Sequence, residues 1–375
     1  MKIGVTGAFG FLGARFVAAL LERNRHVPVQ KRFEVTAFSS RTRSNPLFDP
    51  RQVTAVSLDI LDAANVTAAF AGLECVAHFA GRVEFESSRK REVWDANVIG
   101  TLRVFDAALA AGVGRLLHVS SVNALGGSAG PALLDEHATP YENPGRAQSF
   151  RSAAEALAAV RQSCAGDYSF LRRVHGAYLD SKLAGWELAK FYARERGLDV
   201  VTVFPGTAVG AGDLHHGISD LVDRAWEGRL RIAFSGATSF VDAGDFAEGA
   251  VLAVERGRAG DGYILSGRDD ENLTYPEFIE LISSVAAAGT GRPGRRCLAL
   301  PRPLALGVAS VIEWLAPGGQ LSRALAESGS VRNVCTSAKA RAELGYANRT
   351  PLSASVLECR RFSLEHRARN GRPAA

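Results

Sequence analysis

The stretch that most constrains the fold is a glycine-rich segment close to the first residue. Residues 2–6 have the apolar pattern of a short strand, Gly7-Ala-Phe-Gly10-Phe-Leu-Gly13 follows directly, and residues 14–22 carry apolar side chains at helical spacing. In a strand–turn–helix unit such glycines let the backbone approach a pyrophosphate, which the helix N-terminus faces. A glycine-rich turn without a ligand is the alternative. We predict a dinucleotide site formed by Gly7, Phe9, Gly10, Phe11, Leu12 and Gly13.

The alternation of strands and helices continues along the chain. Strands are predicted at residues 34–38, 53–58, 75–79 and 116–119, and helices at 62–71 and 93–111. This alternation predicts an α/β fold with a Rossmann-type doubly wound parallel sheet, in which ligands bind at the carboxyl ends of the strands. Asp59 is predicted to accept a hydrogen bond from an adenine amino group. The candidate site residues at these strand ends are Gly7, Asp59, Ile60, Ala80, Gly81 and Ser121.

The end of the second predicted strand bears on the choice of dinucleotide. Sites for NAD usually place a carboxylate there, to bind the adenosine 2′-hydroxyl. This chain instead has Ser39, Ser40, Arg41 and Arg43, and two guanidinium groups suit a 2′-phosphate. NADP (as NADPH) is therefore favoured as the cofactor and NAD is possible. A solvated basic loop is the alternative interpretation of these residues.

A tyrosine and a lysine one helical turn apart indicate proton chemistry. Tyr178 and Lys182 lie in a segment with helical character, so both side chains share one helix face. A nearby ammonium group favours the phenolate and is expected to lower the pKa of Tyr178 from about 10. Ser121 ends a predicted strand, where its hydroxyl can donate to a substrate oxygen. Together the three residues predict proton transfer to or from a hydroxyl/carbonyl pair.

Several motifs follow one another along nearly the whole chain. They include T-G-x-x-G-x-x-G at residues 6–13, N-V-I-G-T at 97–101, S-S-V-N-A-L-G at 120–126, and Y-x-x-x-K at 178–182. On these motifs the chain resembles the extended short-chain dehydrogenase/reductases, that is, the NAD-dependent epimerase/dehydratase family. It is most similar to dihydroflavonol-reductase-like and 3β-hydroxysteroid-dehydrogenase-like members. The resemblance implies the doubly wound sheet together with a smaller, mostly C-terminal α/β substrate domain.

The resemblance also implies a role for individual residues. Tyr178 matches the family's acid/base, and Lys182 matches the lysine that binds the nicotinamide ribose and lowers the tyrosine pKa. Ser121, rather than Ser120, matches the serine that holds the substrate oxygen. Asn97 matches an asparagine thought to support a proton relay, with helix geometry alone as the alternative.

Two further matches and two departures refine the resemblance. Pro205 and Gly206 match a loop over the nicotinamide carboxamide. Nucleotide-sugar dehydratases have an acidic pair where this chain has Val122 and Asn123, which argues against dehydration. The stretch 203–210 lacks the asparagine with which many nucleotide-sugar epimerases bind the diphosphate. Sugar-nucleotide chemistry is thereby weakened but stays open.

The same motifs and the same resemblance predict the domain organisation. Residues 1–204 are predicted to form the dinucleotide-binding domain, with an insertion at about 143–174 that adds about thirty residues. A helix is predicted there at 149–162, bordering the substrate mouth, with arginines that attract an acidic substrate or are merely solvated. Residues 205–345 are predicted as a partly interleaved substrate region. Residues 346–375 are predicted as a C-terminal helix and tail, frayed from Arg360 onward.

Composition and charge limit the kinds of partner that are expected for this chain. The longest apolar run, 304–316, contains Glu313 and is shorter than the roughly 18 residues of a membrane span. With no basic and apolar leader at its start, the chain is expected to be cytoplasmic. The net charge of +5 is modest and the arginines are dispersed, so neither nucleic acid nor membrane is an expected partner. The five scattered cysteines and the pair His215-His216 lack metal-ligand spacing, so no metal site is predicted.

The sequence thus predicts an NADP(H)-dependent oxidoreductase, either a ketone/aldehyde reductase or a secondary-alcohol dehydrogenase. Its expected substrate is a small to medium, fairly apolar organic molecule, with Phe85, Trp226, Phe234 and Trp314 as candidate pocket residues or ordinary core. One alternative is a nucleotide-sugar or related NAD-dependent epimerase without net redox change. Another is a non-catalytic NADP-binding regulatory protein. A homodimer through the two long helices after the third and fifth core strands is implied by the resemblance alone.

Overall fold

The computed structural model describes residues 1–40, 44–128, 130–138, 141, 149–174, 176–214, 217–288, 294–316 and 321–369. Four residues discussed above, Arg41, Arg43, His215 and His216, lie outside these described residues, as does the part of the insertion before Ser149.

Strands and helices alternate through most of the chain. The strands, in chain order, are β1 (Lys2–Thr6), β2 (Glu34–Ser39), β3 (Thr54–Ser57), β4 (Cys75–His78), β5 (Arg115–Val119), β6 (Val200–Pro205), β7 (Thr207–Val209), β8 (Ile232–Phe234), β9 (Ala237–Asp242), β10 (Gly262–Leu265), β11 (Asn272–Thr274), β12 (Leu298–Leu300) and β13 (Arg332–Asn333). The helices are α1 (Phe11–Arg25), α2 (Ala63–Ala69), α3 (Lys90–Trp94), α4 (Gly100–Ala110), α5 (Ala153–Cys164), α6 (Ala177–Glu195), α7 (Ile218–Trp226), α8 (Ala243–Arg256), α9 (Tyr275–Ala288), α10 (Arg302–Leu315), α11 (Arg323–Gly329), α12 (Ala338–Leu344) and α13 (Leu352–Arg369).

A parallel sheet forms the framework of the dinucleotide-binding part. Within the described residues it has seven strands in the order β10-β6-β5-β4-β1-β2-β3. The register aligns Thr6 with His78 and His78 with His118, so β1, β4 and β5 end level with one another. This arrangement confirms the predicted doubly wound α/β fold, and it brings the carboxyl ends of the strands to one edge.

Two apolar clusters cover the two faces of this sheet. Along the strands, Val76 and Leu116 belong to the cluster that contains Trp94, whereas the neighbouring Ala77 and Leu117 belong to the cluster on the opposite face. This period of two is the reason that strands buried on both faces have continuous apolar sequences. The edge strand β3 is exposed along its whole length, in keeping with its Thr-Ala-Val-Ser sequence.

The predicted long helix at 93–111 is interrupted. Between α3 and α4, residues Asp95–Ile99 form a π-helical turn. Such single π turns often occur at functional sites, because the extra residue changes the direction of a side chain. Here the turn contains the buried side chain of Asn97.

The insertion packs on the helix that carries Tyr178. The helix predicted at 149–162 begins at Ala153, because Ser152 is its N-cap and accepts a hydrogen bond from Glu155 N at 3.2 Å. Ser149 lies before the helix and donates from Oγ to Asp180 Oδ2 of α6 at 2.6 Å. Trp94 of α3 donates from Nε1 to Ser163 Oγ of α5 at 3.1 Å. The insertion thus contacts both α3 and α6, and the predicted homodimer stays a prediction.

The region predicted to bind the substrate, which we call the substrate part, has its own small sheet and core. Strand β9 pairs with β7, β11 and β13, while β8 and β12 form a separate two-stranded ribbon. Phe240 of β9 stacks on Phe278 of α9 with ring centroids 4.0 Å apart, and Val356 of α13 packs in the same cluster. Helix α13 is therefore part of this core.

The prediction that the chain frays from Arg360 onward is wrong for residues 360–369. These residues form the last part of α13, which is fixed to α7 by the buried carboxylate of Asp223. Arg360 Nη1 and Arg367 Nη2 lie 2.6 and 2.7 Å from its two oxygens, and Ser363 Oγ donates to it at 2.5 Å. The polar composition that suggested a frayed tail instead satisfies a buried charge.

We expect the Asp223→Asn substitution to lower the free energy of unfolding by about 3 kcal/mol, because it removes the carboxylate charge that two largely buried guanidinium groups share. Arg360 then keeps the more distant carboxylate of Glu227, 3.4 Å away. Urea unfolding monitored by circular dichroism measures the change. Asp220→Asn is the control: it lies on the same helix, is partly exposed and is 3.9 Å from Arg224, so a change below about 0.5 kcal/mol is expected. Equal effects of the two substitutions would contradict the role given to Asp223.

Candidate active site

The glycine-rich turn brings three backbone segments into contact. Gly7 has a φ of +68°, and a Cβ placed on it would lie 2.7 Å from Ala80 N at the end of β4. A Cβ on Gly13 would lie 2.1 Å from Gly7 O. Only glycine fits both positions, so β1, α1 and the end of β4 meet backbone to backbone.

The start of α1 fits the phosphates of a dinucleotide. Gly10 is its N-cap residue, with no capping side chain, and its first turn contains no carboxylate. The amide groups of the first turn, which includes Phe11 and Leu12, have no partner within the helix, and the helix dipole favours an anion. Phe9 contributes through its backbone, because its side chain is buried and stacks on Phe48 with centroids 5.5 Å apart.

The other predicted adenosine contacts lie at the ends of β2 and β3. Ser39 is half-buried and Ser40 is exposed. Asp59 is exposed, and its Oδ1 accepts a hydrogen bond from Leu61 N at 2.9 Å. Ile60 packs against Gly100, where a Cβ would lie 2.5 Å from Ile60 Cδ1. Because Arg41 and Arg43 lie outside the described residues, the preference for NADP stays a prediction.

Asn45 is a structural residue of this site that the sequence reasoning missed. It is 1% exposed, and its Nδ2 donates to Phe9 O at 3.2 Å and to Gly212 O at 3.3 Å. It thereby joins the glycine-rich turn to the loop that follows β7. A lone asparagine in a polar loop gives no sequence signal for such a role, since its partners are 36 and 167 residues away.

Ser121 and Tyr178 meet at the carboxyl end of β5. Their hydroxyl groups are hydrogen-bonded to each other, and both side chains are buried. Ser121 Oγ also accepts a hydrogen bond from Asn123 N at 3.2 Å, which fixes its position at the start of a short 3₁₀ turn. Ser120 is buried too, but its Oγ has no hydrogen-bond partner among the described residues. The structure therefore brings Ser121, not Ser120, to Tyr178.

Burial sets the protonation of the pair Tyr178 and Lys182. It raises the pKa of Tyr178, an effect that the hydrogen bond from Ser121 opposes. It also lowers the pKa of Lys182 to about 8, and Lys182 Nζ donates to Val119 O at 3.1 Å. The expected lowering of the Tyr178 pKa by Lys182 is thus wrong in this structure, because loss of hydration disfavours the charged form of both groups.

Asn97 holds the segment that follows β4. Its Oδ1 accepts from Arg82 N at 2.7 Å, and its Nδ2 donates to Arg82 O and to Ser181 Oγ, both at 2.9 Å. A Cβ on Gly81 would lie 3.0 Å from Asn97 Oδ1 and 3.7 Å from Lys182 Nζ. The amide therefore positions Ala80–Gly81 beside the lysine, and a part of Asn97 in a proton relay stays a prediction.

A buried histidine, His78, links β1 to the helical segment that contains Asn97 and Thr101. Thr6 Oγ1 lies 2.7 Å from His78 Nδ1, and His78 Nε2 lies 3.0 Å from Thr101 Oγ1. Since Thr101 donates to Asn97 O at 2.7 Å, it accepts from His78, and Thr6 then donates to the other ring nitrogen. Burial, with a smaller contribution from Lys182, lowers the pKa of His78 to about 3, so the ring is neutral.

The remaining predicted cofactor residues, Pro205 and Gly206, end β6 on the same edge of the sheet. Gly206 N donates to Leu265 O at 3.1 Å, and a Cβ on Gly206 would lie 2.5 Å from Ser239 O. This close approach joins the dinucleotide-binding sheet to β9 of the substrate part.

Of the four candidate pocket residues, only Phe85 lies against the pair of Ser121 and Tyr178, which we call the reacting pair. Its ring meets that of Tyr178 edge to face, with centroids 5.5 Å apart. Trp226 and Phe234 are partly buried in the clusters of the substrate part. Trp314 belongs to neither pocket nor core, because it is 80% exposed.

The insertion borders a cavity beside α6. The cavity has a volume of about 500 Å³. The last of its lining residues along the chain is Val174, three residues before the start of the helix that carries Tyr178. Its lining residues are Ser149, Phe150, Arg151, Glu155, Phe170, Arg173 and Val174. Two arginines of the insertion, Arg151 and Arg173, are thus in its wall. Attraction of an acidic substrate to the arginines of the insertion stays a prediction.

We expect the stability to fall below pH 6.5 because of His78. Its folded-state pKa of about 3 is below the usual 6.5, so only the unfolded chain binds this proton, which costs about 1.4 kcal/mol per pH unit. Urea unfolding should show a loss of about 2 kcal/mol from this residue between pH 6.5 and 5. His78→Gln should reduce that loss, and His26→Gln on the surface should not. An unchanged pH dependence in His78→Gln would refute this assignment.

Comparison with known proteins agrees with this geometry. The sequence matches the NAD dependent epimerase/dehydratase family over residues 3–172 and 159–265. It is 30% identical over 311 residues to sterol demethylase protein B of Methylococcus capsulatus (81% of this chain, 79% of that protein) and 28% identical over 265 residues to cinnamoyl-CoA reductase 1 of Oryza sativa subsp. japonica (70% of each). The crystal structure of gox2253 superposes with a TM-score of 0.74 at 26% identity, covering 97% of this chain and 98% of that one. The chain therefore belongs to the NAD dependent epimerase/dehydratase family and is an NAD(P)-dependent enzyme of the extended short-chain dehydrogenase/reductase type.

Proposed function

We propose that the protein is an NADP(H)-dependent oxidoreductase that interconverts a ketone or aldehyde and its alcohol on a fairly apolar substrate. The observation that carries this proposal is the hydrogen-bonded pair of Ser121 and Tyr178, one helical turn from Lys182. The pair lies at the sheet edge that also carries the glycine-rich turn. A proton donor and an oxygen-binding hydroxyl next to a dinucleotide site are the groups that such a reaction requires.

The protein's own residues supply binding and proton transfer, whereas a bound nicotinamide supplies or accepts the hydride. In the reducing direction, Ser121 holds the carbonyl oxygen and Tyr178 gives it a proton. The raised pKa keeps Tyr178 protonated at neutral pH, so it is ready to act as an acid. The positive charge of Lys182 stabilises the phenolate that this step forms. Asn97 holds the adjoining backbone in place.

An apolar substrate is supported by the surroundings of the reacting pair. Phe85 covers one side of Tyr178, and Val122 and Leu125 follow Ser121 as buried apolar residues. The 30% identical relative is named for sterol demethylation and the 28% identical relative is named as a reductase. The first name fits an alcohol or carbonyl group on a largely apolar molecule, and the second fits reduction of a carbonyl group; we extend this combination to this chain.

We expect Tyr178→Phe to reduce turnover by about 10²–10⁴-fold while cofactor binding is retained, because only the transferable proton is removed. Oxidation of NADPH with a panel of sterol ketones and aromatic aldehydes measures turnover, and fluorescence titration measures cofactor binding. Tyr263→Phe is the matched control, because Tyr263 lies in β10 and its hydroxyl donates to Glu343 Oε2 of α12 at 3.0 Å. A loss of less than tenfold in Tyr178→Phe would sink the proposed mechanism.

The cofactor can be identified by denaturing the purified protein, separating released nicotinamides, and titrating the stripped protein with NADPH and NADH. Loose binding that favours NADPH is expected, and replacing both Arg41 and Arg43 by glutamine should weaken NADPH binding about 10- to 100-fold with little effect on NADH. Tightly retained NAD would instead favour an epimerase, which must keep its cofactor through oxidation and re-reduction of the same carbon.

A further inference from the structure

Helix α10 has an exposed apolar face along its whole length. Its inner side is fixed by the buried Ala305 and Ala309 and by Glu313, which accepts hydrogen bonds from Ser87 Oγ and from Arg323 N. The outer positions recur at spacings of three and four residues, which places them on one side of the helix. They are Leu304, Val308, Val311, Ile312 and Leu315, between 36% and 68% exposed.

The ribbon of β8 and β12 extends this face. Ile232 and Leu298 are directly paired and are 56% and 68% exposed. Two residues further along, Phe234 and Leu300 pack against the inner side of α10. Because side chains two apart in a strand share a face, Ile232 and Leu298 lie on the same side of the ribbon as that packed pair. Together, α10 and these two residues form what we call the α10 face.

Basic side chains and an exposed tryptophan border the α10 face. Arg231, Arg296 and Arg302 precede Ile232, Leu298 and Leu304 by one or two residues, and Arg295 is exposed and donates to the carbonyl of Gly228 at 3.2 Å. The helix's one acidic residue, Glu313, is turned inward to the contacts given above. Trp314 is 80% exposed at the helix's last turn. An apolar stripe with a tryptophan and flanking arginines is the pattern of a helix that lies in the interface of an anionic membrane.

We propose that the α10 face docks on the surface of an anionic lipid bilayer. The helix lies flat in this arrangement. Among the described residues, no helix is both long and apolar enough to cross a bilayer. A second copy of the chain fits the face less well, because a two-fold contact would bring the arginines of both copies together. This inference departs from the expectation, based on composition, that a membrane is not a partner.

The docked face is connected to the reacting pair. Ser322, at the start of α11 beside α10, donates from Oγ to Phe85 O at 2.7 Å, and the Phe85 ring contacts Tyr178. The α10 face is therefore linked through α11 to the aromatic side chain that packs on Tyr178. Docking itself does not depend on the proposed reaction, so the two proposals can fail separately.

The test is co-sedimentation of the full chain with vesicles of equal parts phosphatidylcholine and phosphatidylglycerol, compared with phosphatidylcholine alone. We expect binding to the anionic vesicles that weakens at high salt. The double substitution Val308→Asp/Val311→Asp should reduce the bound fraction at least tenfold. Val29→Asp, at a residue 69% exposed outside the face, should leave it unchanged. Circular dichroism verifies that each variant is folded.

Trp314 provides a second readout. Of the four tryptophans, Trp94 and Trp186 are buried and Trp226 is partly buried, so a blue shift of the emission on adding vesicles reports mainly on Trp314. The shift should disappear in Trp314→Phe, which should still sediment. Absence of wild-type binding to anionic vesicles would overturn the proposal. So would a dimer in analytical ultracentrifugation that the Val308→Asp/Val311→Asp variant abolishes, because the face would then join two copies.

Discussion

The close approach of backbone segments at Gly7 is the contact on which the site depends. A side chain at Gly7 or Gly13 would collide with Ala80 N or with Gly7 O, so β1, α1 and the end of β4 are in direct backbone contact. That contact brings the N-terminus of α1 to the edge where β4 and β5 end. Because the sheet is parallel, Ser121 emerges at the same edge, so the predicted phosphate-binding turn and the pair of Ser121 and Tyr178 share one side of the molecule.

Burial determines the electrostatics of this edge more than charge pairing does. It raises the pKa of Tyr178, lowers that of Lys182 to about 8, and keeps His78 neutral. Each shift has the same cause, since removal from water disfavours whichever form carries the charge. A neutral phenol beside a serine hydroxyl is the protonation state that reduction of a carbonyl needs. The neutral histidine can then join Thr6 to Thr101 without introducing a second buried cation.

The substrate part is attached to the reacting pair by a small number of hydrogen bonds. Asn333 of β13 donates to Val122 O in the turn that follows Ser121, at 3.0 Å, and Ser322 donates to Phe85 O. These bonds place an apolar wall against Tyr178 and connect it with the helix pair α10 and α11. The apolar residues beside Tyr178 and the proposed docking surface are therefore connected through α11.

The sequence by itself determined the order of strands and helices, the glycine-rich turn and the pairing of Tyr178 with Lys182, because these features are local patterns of spacing. It also identified Ser121, through its strand-end position and the family motif. Only the tertiary structure decided the direction of the Tyr178 pKa, the roles of Asn45 and His78, the attachment of α13 to Asp223, and the exposure of Trp314. Each of these depends on which groups are removed from water by residues distant in the chain. Local spacing in the sequence does not show which groups those distant residues bury.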